Sequence, residues 1–278
     1  MQHFILTRFN LLLWNKDKER QPVRTYAWLE HRFSLFERYC LPSIINQTCQ
    51  SFQWIVLFDS KTPDSFKEKI SAFQEKCPQL IPVFVEPQNG RYFSEIFRRE
   101  VVSRLIEERV ITTYLDNDDA LDLRFVEDVQ QRAENCDGGT FLFYSHGYQF
   151  FTDHNYVLKV FYPRNHFASV VECGDKSTVK TIYGYGSHYY IEKIKNAKVE
   201  YVKDHPMWCE IIHQRNMGND AYFLWGTRMV REEDLLRREF AINESVRSGF
   251  GVYVFRFLPR YIKTFIRRIG YFLFGRHW

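Results

Sequence analysis

Apolar residues follow two rhythms along the first half of the chain. Phe4 to Phe9, Gln53 to Phe58, Ile81 to Val85 and Val110 to Leu115 are short runs rich in β-branched and aromatic residues, dense enough to be strands buried on both faces. Between them, apolar positions recur three and four apart, the spacing of helices with one covered face. These stretches run from about Tyr26 to Asn46 with an interruption near Pro42, from Thr62 to before Pro78, and from Ser94 to Arg109. Thr62 is expected to cap the helix that Pro63 opens, and Asp122 to cap another that ends near Asn135 and the turn Asp137-Gly138-Gly139. The order β-α-β-α-β-α-β-acidic loop-α predicts an α/β domain with a mostly parallel central sheet flanked by helices.

Beyond Thr140 the pattern changes to aromatic-rich strands, Thr140 to Phe151 and Tyr156 to Tyr162, followed by an irregular stretch rich in His, Tyr and Gly. Arg231 to Arg238 reads as helical. The expected division is one domain over residues 1–240, made of halves 1–135 and 136–240, and a tail over 241–278.

Composition narrows the picture only a little. Hydrophobic residues at 45% and charged residues at 26% describe a chain able to bury a core rather than a disordered one. Aromatic residues reach 18%, which suits core filling, sugar stacking or a membrane interface equally. A net charge of +4 over 278 residues gives no reason to expect nucleic acid, although the positive excess gathers at the C-terminus. The six cysteines show neither a C-x-x-C pair nor the density of a disulfide framework, so reduced and mostly buried thiols are expected. The apolar start, Met1 to Trp14, is broken by Arg8 and Asn10 and makes a poor signal peptide. With no apolar run of membrane-spanning length, a cytoplasmic protein is expected, held if anywhere at a membrane surface.

The chemistry concentrates at Asp116-Asn117-Asp118-Asp119, directly after the fourth strand. Carboxylates this close repel unless something positive lies between them, and a divalent cation with oxygen ligands is the economical partner. A solvated turn explains the same spacing. Position favours the cation, because the ends of strands in such sheets are where ligands bind.

Three blocks around this cluster carry a resemblance: Arg38 to Thr48, Phe52 to Asp59, and Thr113-Tyr114-Leu115-Asp116-Asn117-Asp118-Asp119-Ala120-Leu121. With Ser169-Val170-Val171-Glu172 and Trp208 to Asn216 following in order, the chain resembles the bacterial rhamnosyltransferase family over roughly residues 3 to 220. The resemblance implies a GT-A-like fold with the donor nucleotide in the first half and the acceptor in the second. It implies transfer of a sugar from a nucleotide-sugar donor to a glycan or lipid-linked acceptor. By the same resemblance Asp116, with Asn117 beside it, meets the donor ribose or metal, Asp118 and Asp119 hold Mn²⁺ or Mg²⁺, and His213 completes the metal shell. His146, His188 and His205 compete for that last role. Asp59 matches the position that reads the nucleobase, and Thr7 and Arg8 are expected to line the nucleotide pocket.

An inverting transfer also needs a carboxylate to take the proton of the acceptor hydroxyl. Glu172 is the first candidate, with Glu210 and Asp204 as alternatives. Arg98 and Arg104, with Arg91 and Arg99, flank the helix before the metal strand and are placed either to meet a phosphate or to form its solvated face. Tyr183-Gly184-Tyr185-Gly186-Ser187-His188 reads as a sugar-stacking loop or a plain turn. From Gly251 onward aromatic residues alternate with Arg256, Arg260, Lys263, Arg267 and Arg268 with no acid among them, which suits either an anionic membrane or packing on the domain. Two rival functions remain: a phosphoryl-transfer hydrolase, disfavoured because Phe4 to Asn10 carries no nucleophilic acid, and a non-catalytic carbohydrate or membrane binder.

Overall fold

The computed structural model describes residues 1–14, 22–23, 25–174, 176–213, 227–259, 261–263, 265–266 and 269. The elements are β1 (Gln2–Arg8), α1 (Tyr26–Leu35), a π-helical turn (Phe36–Cys40) running into α2 (Leu41–Ile45), β2 (Gln53–Asp59), α3 (Asp64–Lys76), β3 (Leu80–Val85), α4 (Phe93–Arg104) and β4 (Arg109–Tyr114). Then come β5 (Ala120–Leu121), α5 (Phe125–Glu134), β6 (Thr140–Tyr144), β7 (His146–Phe151), β8 (Tyr156–Phe161), β9 (Ser169–Cys173), β10 (Lys198–Val202), β11 (Trp208–Ile212), β12 (Arg228–Met229), α6 (Leu235–Phe240) and α7 (Phe250–Val252).

Seven strands form the main sheet in the order β10-β6-β9-β4-β1-β2-β3, with β9 alone antiparallel to its neighbours β4 and β6. The α/β class and the mostly parallel, helix-flanked sheet expected of a GT-A-like domain are both present. Strands β1, β2 and β4 are apolar on both faces because helices cover both. One core layer joins α1, α3 and α5 through Phe33, Phe36, Phe73, Phe125 and Val129, and the other joins α4 through Phe97 and Val101 to Tyr183 and Ile191.

Thr140 to Phe151 does not run as a single strand. The chain leaves the main sheet at Ser145 and enters a second sheet ordered β12-β8-β7-β11-β5. In that sheet β11 lies parallel to β7 and antiparallel to β5, the two-residue strand just after the acidic cluster. Helix starts differ in detail. Thr62 does not cap α3, because its hydroxyl donates to the Asp59 carbonyl inside the preceding turn, whereas Thr25 does cap α1 by accepting the Trp28 amide. The third helix ends at Arg104 rather than Arg109, since Leu105 is already extended and Arg109 opens β4. All six cysteines are unpaired: Cys40, Cys77 and Cys209 are buried, Cys49 and Cys136 partly so, and Cys173 is exposed. Among the described residues no helix is long and apolar enough to cross a membrane.

Candidate metal and nucleotide-sugar site

Strand β4 ends at Tyr114, and the acidic run turns inward beneath β11. Asp119 is fully buried, its Oδ1 accepting the Ile211 amide at 2.8 Å and its Oδ2 lying 3.0 Å from His166 Nε2. The same imidazole nitrogen lies 3.9 Å from Asp116 Oδ2. Asp116, Asp119 and His166 thus bring one ligand atom each within 4.8 Å of one another, the one such set among the described residues. Two carboxylates and an imidazole suit Mn²⁺ and, less well, Mg²⁺.

Electrostatics marks the same point. Burial pushes the Asp119 carboxyl up to about 7, and the charges of Asp118 and Asp116 add to the rise against the hydrogen bond from His166. Burial disfavours the imidazolium of His166, yet Asp119, Asp116 and Glu210 outweigh it and hold the ring up to about 9. Burial and the gathered carboxylates both favour holding positive charge or a proton between Asp119 and His166, the place a bound cation would occupy.

Asp118 points its charge to other partners. Its Oδ2 accepts from Arg32 Nη1 at 2.5 Å and lies 3.0 Å from His213 Nε2. Burial opposes this carboxylate, but Arg32 and then His213 hold it well below the usual range. Asp118 and His213, both expected around a metal, thus meet each other directly, and Arg32 of α1 holds the same carboxylate. Asn117 is locked beside it, donating to the Phe9 carbonyl at 3.0 Å and accepting from Arg32 at 3.3 Å.

Among the described residues two cavities approach the acidic run, one through His166 and Tyr114 and the other through His213. One of about 370 Å³ is walled by Arg8, Phe93, Tyr114, His166, Tyr183 and His188. Arg8 donates to the Tyr114 hydroxyl at 2.5 Å, and that hydroxyl donates to Asp116 Oδ1 at 2.9 Å. The guanidinium also lies 4.8 Å from the Phe93 ring centre and 5.3 Å from that of Tyr183. Burial alone would weaken its charge, but Tyr114, Tyr183 and Asp116 raise its pKa above the ordinary arginine range. The other cavity, about 540 Å³, is bounded by Glu30, His31, Ser34, Thr152, Asp153 and His213.

Several expected site residues sit elsewhere. Glu172 pairs with Val110 near the opposite end of β4, where it accepts the Lys180 and Thr181 amides and the Tyr185 hydroxyl, so it anchors a loop. Asp204 is on the surface, ion-paired with Arg132 at 2.7 Å. Glu210 is the one base candidate the fold brings to the cluster. It is buried, accepts from Gln149 Nε2 at 2.5 Å, and is raised to about 7 by burial, with Asp119 adding to the shift against His166.

Thr7 is buried and accepts from Trp54 Nε1 at 2.9 Å, and buried Asp59 accepts the Lys61 amide at 2.7 Å. Both are tied into the fold instead of facing either cavity, because the chain after β1 folds back over the end of β2 through Asn10, which accepts the Asp59 amide. Arg98 holds the carbonyls of Lys176, Ser177 and Val179, and Arg104 pairs with Glu100 along its own helix. Arg91 contacts Tyr92, and Arg99 contacts Glu100. His146 packs on Phe161 and His205 is exposed, while His188 lines the smaller cavity. Gln214 to Asn216, at the end of the last resembling block, lie outside the described residues, as do Arg260, Arg267, Arg268, Tyr271 and Phe272 of the tail.

Sequence reasoning missed His166 and Arg32. His166 sits three residues before the Ser169 block, which was the available signal. Arg32 shares a helical face with Leu29, Phe33 and Phe36, and a cation on such a face calls for a buried anion.

A mostly parallel, helix-flanked sheet with an acidic turn at the end of β4 makes this an α/β domain, and the comparisons with known proteins give its family. Residues 2–222 match the family described as "Putative rhamnosyl transferase", and the chain belongs to that family. Among curated proteins, none matches the sequence. Solved structures with similar folds include S. aureus TarS 1–349, at 10% identity and TM-score 0.41, over 76% of this chain and 60% of that one. S. aureus TarS 1–349 in complex with UDP gives 10% identity and TM-score 0.39, over 76% and 61%. A 4-diphosphocytidyl-2C-methyl-D-erythritol synthase gives 13% identity and TM-score 0.34, over 73% and 90%. The chain thus spans about three fifths of the length of the TarS 1–349 structures.

Proposed function

We propose that this chain is a metal-dependent glycosyltransferase that moves a sugar from a nucleotide-diphosphate donor to a hydroxyl of a glycan or lipid-linked acceptor, with inversion. Rhamnose is the sugar its family description names. The observation that carries the reading is the convergence of Asp116, Asp119 and His166 at the end of β4, beside a cavity with an aromatic wall and a partly buried arginine, Arg8. These three residues would hold Mn²⁺ or Mg²⁺, which when bound would offset the charge of the departing diphosphate.

Arg8 would meet the donor phosphates, since its planar fork suits oxyanions and its aromatic surroundings keep it charged. Phe93, Tyr114 and Tyr183 offer ring faces for a base or sugar. The larger cavity, which meets the acidic run through His213, would take the acceptor, and its carboxylates, Glu30 and Asp153, would receive the acceptor proton. Glu210 lines neither cavity and would instead tune the charge beneath the cation site. A lipid-linked acceptor would bring the domain to a membrane surface, which the basic C-terminal segment fits.

The test is a panel of nucleotide sugars incubated with the protein and Mn²⁺, following release of the nucleoside diphosphate. Metal-dependent release from one donor, lost in Arg8→Met, is the expected result. Hydrolysis of simple phosphate monoesters with no response to any nucleotide sugar would favour the phosphoryl-transfer rival.

A further inference from the structure

Residues 250–259 form a continuous helical run, and 261–263, 265–266 and 269 are helical as well. One side of this segment packs on the domain and another is exposed. Phe257 is buried in the main core cluster, with Val252 and Tyr261 packed against the same cluster. Tyr253, Phe257 and Tyr261 follow one another four residues apart and stack with ring centres 5.3 and 5.6 Å apart, with Phe257 and Tyr261 facing the domain and Tyr253 exposed. Phe255, Ile262, Phe265, Ile266 and Ile269 are exposed, Phe255 to 74% and Ile266 to 61%. Leu258, Pro259, Ile262 and Ile266 border a shallow apolar hollow, with Lys263 at its edge.

Phe255, Ile262, Ile266 and Ile269 are thus exposed while Phe257 is buried and Tyr261 partly so, and Ile262 and Ile266 are spaced four apart. Along the sequence, residues 251–278 hold six Arg or Lys and no Asp or Glu. An apolar ridge on a segment rich in cations and free of acids matches the interface of an anionic bilayer, where the ridge enters the acyl boundary and the cations meet headgroups.

We infer that this C-terminal helix is an in-plane docking surface for an anionic lipid bilayer, seated on the domain by Phe257 and Tyr261 and entering the lipid through Phe255, Ile262 and Ile266. The inference deepens the membrane-surface reading and does not depend on the donor site. Deleting the tail would also take Phe257 from the core, so exposed positions are the ones to change.

The experiment is co-sedimentation of the full chain with vesicles of phosphatidylcholine alone or with about one lipid in three replaced by phosphatidylglycerol, enough to charge the surface. The wild type should pellet with the anionic vesicles and much less with neutral ones, and added salt should reduce the bound fraction. The triple variant Phe255→Ser, Ile262→Ser, Ile266→Ser should bind at least about tenfold more weakly while keeping its melting temperature. Equal binding of wild type and triple variant would overturn the inference. So would a wild type that ignores anionic vesicles and forms dimers that the triple variant abolishes, since the ridge would then face a second copy. Nucleoside diphosphate binding by the triple variant, measured alongside, separates a failure of this surface from a failure of the donor site.

Discussion

His166 Nε2 lies 3.0 Å from Asp119 Oδ2, joining two residues 47 positions apart in the chain. Asp119 is fixed from the other side by the Ile211 amide, so this pair is braced by β11 as well as by the end of β4. The acidic run therefore divides its labour: Asp116 and Asp119 converge with His166, and Asp118 is neutralised by Arg32 and His213.

The Arg32 and Asp118 side chains are only 11% and 9% exposed, so removing one partner leaves a nearly buried charge. Arg32→Met should destabilise the protein by about 3 kcal/mol in urea unfolding. Adding Asp118→Asn to that variant should recover part of the loss. Additive losses in the double variant would show that the pair is not coupled.

Gly147 admits the indole of Trp208, because a Cβ there would lie 2.1 Å from a ring atom. Trp208 stacks on Phe167 at 4.9 Å and donates to the Tyr144 carbonyl, so it cannot retreat cheaply. Gly147→Ala should cost about 2–3 kcal/mol by overpacking. It should also loosen β11 and with it the Asp119 contact. Unfolding midpoints for the two proteins decide it, and an unchanged midpoint would refute the packing account.

Burial lowers the His3 imidazole to about 3 from an ordinary 6.5. Between those values the unfolded chain binds the proton and the folded chain does not, so stability falls as the pH drops through this window. At pH 5 the loss from this group is about 2 kcal/mol at most. His3→Gln should flatten the slope of stability against pH between 7 and 5. Parallel slopes for wild type and variant would show that His3 is not the source.

Much of the main sheet is legible in sequence. Runs such as Trp54 to Phe58 are buried on both faces and look it, and the acidic cluster falls where β4 ends. The second sheet is not legible, because Thr140 to Phe151 keeps one aromatic character while changing partners at Ser145, and nothing local marks the change. Site residues divide along the same line. Arg8 ends, and Asp116 follows, a strand that periodicity finds, whereas His166 depends on how the chain after β8 returns to β9. Glu172 lies within a resembling block but at the far end of its strand, since β9 runs antiparallel to β4. Strand direction decides that placement, and a single strand's residues do not state it.

Arg8 is predicted to be the phosphate contact. Arg8→Met should weaken nucleoside diphosphate binding about tenfold or more, and Arg8→Lys should restore only part of it, because the ammonium lacks the planar fork. Calorimetric titration measures both. Full affinity in Arg8→Met would place the donor elsewhere.

Asp116, Asp119 and His166 are predicted to hold the cation, and titration calorimetry with Mn²⁺ checks this on single variants. His166→Gln should weaken Mn²⁺ binding by about tenfold or more, as loss of a nitrogen ligand implies, while His213→Gln should leave it within about twofold. Unchanged affinity in His166→Gln together with loss in His213→Gln would contradict the account and place the ion at Asp118 instead.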